Sequence, residues 1–199
     1  LLSGFGGVGR ATDDLRFESN ELSLNNVGHG YLNGFGAVEL GNSTVTGDLY
    51  LDANETLALD GTISIGGITH LTALGELTLA SNSTLTGQGD TLTLESFAGS
   101  IVQAAGSEIH ATHATATVVL RASDSVELVH LDAGASGSVL IEAASGAVTM
   151  SNASAQTITA GSLLIVAHDG VDADLVVSSI AVKAGGDIQL DATGDLAID

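Results

Sequence analysis

The sequence predicts an all-β fold of the parallel β-helix class, a solenoid with about three short strands per coil of roughly 20–25 residues. Three observations lead there. Apolar residues alternate with period two, as in half-buried strands, and no apolar stripe at helical spacing runs beyond about a dozen residues. Similar groups of strand pairs return about every 23 residues in the second half of the chain. Gly, Asp, Asn, Ser and Ala separate the pairs, while proline, which removes a ladder hydrogen bond, is absent from all 199 residues. Ordinary usage would place roughly ten prolines in such a chain.

Residues 1–36 differ in character from residues 37–199. They hold Phe5, Phe17, Tyr31 and Phe35, two of the four basic residues (Arg10 and Arg16), and dense glycine. This segment is expected to be a cap or docking segment, because terminal solenoid units are atypical. Residues 37–199 are expected to be the β-helix. Its first strands are read at Leu49/Leu51, Leu57/Leu59, Ile63/Ile65, Leu77/Leu79 and Leu92/Leu94. Further on, Val118/Leu120, Val139/Ile141, Leu163/Ile165 and Ile188/Leu190 read as equivalent pairs. Each is followed by a second: Val126/Leu128, Val148/Met150, Leu175/Val177 and Leu196/Ile198. A third site follows at Leu131, Ile158 and Ile180/Val182. A coil cannot bury its inward Leu, Val and Ile alone, so coils stack at roughly 4.8 Å each, and about eight give a rod on the order of 40 Å.

Composition removes whole classes of function. Four basic residues against 24 acidic ones leave a formal charge of −20, the wrong sign for binding a phosphate backbone. With no cysteine there is no disulfide framework, zinc ribbon or thiol nucleophile. No run of 18 apolar residues exists to span a membrane as a helix. The apolar share of 44% is enough for a core, so the chain is not read as disordered. It begins with Leu in a glycine-rich context, and is read as an internal or processed fragment.

The run Ala184-Gly185-Gly186-Asp187-Ile188-Gln189-Leu190-Asp191-Ala192-Thr193-Gly194-Asp195-Leu196 resembles the coils of large bacterial surface exoproteins, of the filamentous-haemagglutinin-like adhesin kind. Gly7-Val8-Gly9, Asp14-Leu15 and Gly30-Tyr31-Leu32 are similar to the opening of long modules in giant bacterial repeat proteins, with Asp14 where a proline commonly stands. The resemblance implies a right-handed parallel β-helix, secretion to the extracellular space or bacterial cell surface, and a stalk, adhesin or matrix role.

Candidate chemistry is sparse. Gly4-x-Gly6-x-x-Gly9 matches the dinucleotide fingerprint in letters, but only three residues precede it and no helix pattern follows, so it reads as a loop. Asp169, Asp172 and Asp174 are the candidate calcium ligands, placed by the spacing on a bulging turn; an ordinary solvated turn is the competing reading. Asp52, Asp60, Asp132 and Asp191 each follow a strand residue and read as corner carboxylates accepting turn N–H bonds. Glu108 and His110 share a strand face, with His113 on the other side. Asn42, Asn54, Asn82 and Asn152 begin glycosylation sequons and read as turn residues. No cofactor is expected.

The function expected is therefore structural: a secreted adhesive or filament segment, not an enzyme. Its partners are further coils, stacked end to end through Phe5, Phe17, Tyr31, Phe35 at one end and Ile188, Leu190, Leu196, Ile198 at the other. A carbohydrate or host-surface binding module is the alternative. A β-helix glycosidase or lyase is disfavoured by the few bases and aromatics. An ice-binding solenoid is disfavoured by the irregular spacing of the Thr-x-Thr pairs.

Overall fold

A computed structural model describes residues 2–3, 6–150, 157–193 and 197–198 of the chain. Among them every regular element is a strand, and every strand-to-strand pairing is parallel. The strands sort into three sheets, here called A, B and C, each visited once per coil, in a β-solenoid of about 8 turns.

Period two dictates what each strand buries. In sheet A the row Leu32, Leu51, Leu71, Leu94, Leu120, Ile141, Ile165 points inward in successive coils. In sheet B the inward row is Val38, Leu57, Leu77, Ile101, Val126, Val148, Val171. In sheet C it is Ile63, Leu85, Ile109, Leu131, Ile158, Leu175. All are buried, and like residues meet their equivalents one coil away, so the core is a bundle of aliphatic ladders. Burying each Leu, Ile or Val side chain contributes about 1.5–3 kcal/mol.

Corners need small residues where backbones converge. At the turn from sheet C to sheet A, Gly67 donates its N–H to the carbonyl of Gly47 at 2.8 Å. A Cβ on Gly89, one coil further, would stand 2.2 Å from the Gly67 carbonyl oxygen, closer than any real side chain is tolerated. Asn42 and Asn82 sit at another corner: the Asn42 Oδ1 accepts the Thr62 N–H at 2.8 Å, and Asn82 has a positive φ of 61°. They act as the turn residues expected of them.

The ladder crosses residue 36 without interruption. Leu15–Phe17 pairs with Gly30–Gly34, Glu21–Leu22 with Val38–Leu40, and Leu24–Val27 with Ser43–Val45. Between Val8 and Leu15 the chain makes a tight turn in which Arg10 and Asp13 exchange backbone hydrogen bonds of 3.0 and 2.9 Å.

The phase of the last coils differs from the sequence reading. Leu163 pairs with Ile180, not with an equivalent at Ile188, and Val171 pairs with Ile188. The cause is the 14-residue strand Val171–Ala184, which runs through all three sheets with no glycine to mark its corners. It also removes the expected bulging turn: Val171, Ala173 and Leu175 point inward, so Asp172 and Asp174 are outward strand residues.

Candidate functional site

Outward rows of sheet A carry the richest surface chemistry. One row reads Tyr31, Tyr50, His70, Thr93, Val119, Leu140, Leu164, Ala181 in successive coils. The next reads Asn33, Asp52, Thr72, Glu95, Arg121, Glu142, Val166, Lys183. Beside it, at the corner toward sheet B, stand the exposed side chains of Phe35, Leu74 and Phe97.

Between the polar row and this ridge runs an open groove. One stretch of about 410 Å³ is lined by Asn33, Asp52, His70, Thr72, Leu74 and Phe97. A second of about 360 Å³ shares Phe97 and continues past Glu95, Arg121 and Glu142 to Val166. A third of about 390 Å³ shares Val166 and ends at His168 and Lys183. The groove thus follows the solenoid axis and offers a hydrogen-bonding side chain in most coils.

Its ionisable groups are tied to one another. The Thr72 hydroxyl donates to Asp52. Arg121 bridges two coils, its Nε 2.6 Å from Glu142 and its Nη1 3.1 Å from Glu95. Hydrogen bonds to Glu142 and Glu95 push the guanidinium pKa further up. Asp52 and Glu95 are two coils apart, roughly 9–10 Å along the axis. The Asn33 Oδ1 is buried with no partner, an acceptor left open in the groove wall.

The tyrosines are stacked. The Tyr31 and Tyr50 rings are 5.1 Å apart and nearly parallel at 7°, so each covers a face of the other. The facing surfaces of the two rings are therefore closed to a stacking sugar. Burial first, then Asp48 and Tyr31, raise the Tyr50 pKa, which keeps that phenol a proton donor well into alkaline solution.

The other sequence candidates are dispersed. Asp169 lies on the turn before the Val171–Ala184 strand with its Oδ1 3.0 Å from His168 Nδ1, apart from Asp172 and Asp174 on the strand itself. Among the described residues no three His, Asp or Glu side chains converge closely enough to hold a metal as they stand. Asp132 accepts the Gly134 N–H at 2.8 Å, as a corner carboxylate should, whereas Asp52 lies mid-strand. The sequon residue Asn54 is exposed. Tyr31 and Phe35 lie on the flank of the rod, Phe17 and Leu190 pack partly against the core, and Ile188 is 49% exposed. Phe5, Leu196, Asn152 and the side chain of Ile198 lie outside the described residues.

Two features escape a reading of the sequence. One is the groove, which exists only because outward residues twenty or so positions apart stack. The other is a four-membered group on sheet C, where Glu108 and His110 meet His130 and Asp132 of the next coil. The outward motifs E-x-H and H-x-D, one repeat apart, were the available signal. No family model, curated protein or solved structure matches the chain.

Proposed function

We propose that the chain is a shaft segment of a secreted bacterial surface exoprotein, a structural and adhesive solenoid whose partners are further coils. The observation that carries this reading is the parallel ladder: among the described residues, each inner coil finds its backbone partners in the coils before and after it. The outward carboxylates of the groove are engaged in ladder bonds, the arrangement of a surface that stiffens a rod. At the last described coil, Ile188 is exposed and Leu190 only partly buried, an apolar strand edge suited to a following coil. A charge of −20 opposes sideways clumping and leaves axial addition open.

Electron microscopy of the concentrated chain, with and without added Ca²⁺, tests it. Filaments with a 4.8 Å repeat running across subunit junctions support axial stacking. Discrete rods about 40 Å long in both conditions overturn self-assembly by this segment.

The groove favours a second reading, a binding surface for an extended neutral glycan lying along the axis. Hydrogen-bonding groups recur at the coil rise, and Leu74 and Phe97 supply an apolar margin. Glycan-array binding that Phe97→Ala and Asp52→Ala both abolish supports it. An array with no signal removes it.

A further inference from the structure

Sheet C is outwardly uncharged over several coils. Thr44 is followed by Ser64 and Thr86 in one row, and Thr62 by Thr84 in the other. The next two coils break the pattern. Glu108 and His110 point outward from one strand, and His130 and Asp132 from its neighbour. In the coil after, Thr157 and Thr159 restore hydroxyls.

Register fixes how the four meet. Ile109 pairs with Leu131 and His110 with Asp132, so Glu108 stands opposite His130. Neighbouring strands are about 4.8 Å apart and alternate residues about 6.6 Å apart, so the four side chains rise from the corners of a small rectangle. Glu108 Oε2 lies 2.9 Å from His110 Nε2. The His110 and His130 rings are 5.6 Å apart, edge to face at 61°.

His130 is set in place from inside. The row Leu40, Leu59, Leu79 continues into a buried Gln103 before returning to Leu128. The Gln103 Oε1 accepts the Val129 N–H at 2.9 Å and the His130 N–H at 3.3 Å, and its Nε2 donates to the His130 carbonyl at 3.0 Å. A polar residue thus replaces leucine in the core where the chain must deliver His130 beside Glu108.

We propose that Glu108, His110 and His130, with Asp132 as a fourth neighbour, form a binding site for a divalent transition ion of the zinc type. Two imidazoles and a carboxylate are the donor set of zinc, nickel and copper, whereas calcium takes oxygen alone. As the side chains stand they do not converge, because the Glu108–His110 hydrogen bond holds that pair together. The ion takes the place of the proton in that bond, and His130 turns toward it. Only part-exposed side chains have to move, since the His110 and Glu108 side chains are 28% and 49% exposed.

Calorimetric titration of the 199-residue chain with zinc chloride, and separately with calcium chloride, tests the site. The expected result is one zinc per chain, weakened roughly tenfold or more by His110→Gln and by His130→Gln. His113→Gln, which changes a histidine outside the group, leaves affinity unchanged. Circular dichroism melting confirms that the outward substitutions leave the fold intact, and zinc raises the wild-type midpoint but not that of the variants. Cobalt substitution adds a visible spectrum that the same two variants lose. Absence of zinc binding overturns the proposal. So does binding that both variants retain, which would place the ion on the diffuse acidic surface.

Discussion

Replacing Gln103 with leucine should destabilise the chain, although leucine occupies the same row in the coils on either side. Gln103 is 4% exposed and Val129 6%, so neither the amide nor the Val129 N–H can turn to water. Leucine is similar in size and gains about 1–2 kcal/mol from burying carbon where an amide stood. Against this, the buried Val129 N–H loses its acceptor at a cost of about 1–3 kcal/mol. The longer bond from His130 N and the bond to the His130 carbonyl are lost as well, at about 0.5–1.5 kcal/mol each. The net expectation is a loss of about 2 kcal/mol, concentrated at the corner that carries His130. Solenoids open coil by coil, so the assay is native-state amide exchange resolved by residue. Val129 and His130 should exchange roughly thirty-fold faster in Gln103→Leu, with the amides of Leu57–Leu59 unchanged. Zinc affinity should fall with it. A variant as protected at Val129 as the wild type would refute the reasoning, and would mean that the row simply prefers leucine.

Further expectations rest on single residues. Thr69 is fully buried in sheet A with no partner for its Oγ1, so Thr69→Val should raise stability by about 1 kcal/mol, read as an upward shift in the urea midpoint. Gly89→Ala should lower it by about 1–3 kcal/mol or more, because its Cβ meets the Gly67 carbonyl; an unchanged midpoint would show that the corner can open. The Glu108 carboxyl is held below its ordinary value of 4.5, first by the hydrogen bond from His110 and then by the charges of His110 and His130. Its contribution to stability is therefore present above 4.5 and lost as the pH falls through the folded value. Carbon-detected NMR titration should find the depressed midpoint in the wild type and a return toward 4.5 in His110→Ala.

Strand pairs such as Leu49/Leu51 and Val139/Ile141 are legible because alternation is a local property, and a solenoid core rewards it in every coil. The phase of the last coils is not. There the corner signals vanish, and Leu163 and Ile180 are equivalent across a coil of 17 residues that follows one of 24 at Val139–Leu163. Asp172 and Asp174 read as a loop for the same reason: the polar letters hide an alternation with Val171, Ala173 and Leu175. The meeting of Glu108 with His130 depends on the length of one intervening coil, and coil lengths here vary, with 17 residues at Leu163–Ile180 and 26 at Glu95–Arg121. Gln103 is readable in principle, as the one polar residue in a leucine row, once the row is known.

The aliphatic ladders repeat along the axis while the outward rows do not. Inside, one coil is almost interchangeable with the next. Outside, the same lattice position is tyrosine in one coil, histidine two coils on, and leucine further still. A solenoid built this way separates two kinds of inheritance. Whole coils can be gained or lost by recombination with little penalty to folding, so length is free to drift. Each such event, however, shifts every outward neighbour by one place, and so rewrites in a single step which side chains face each other on the surface.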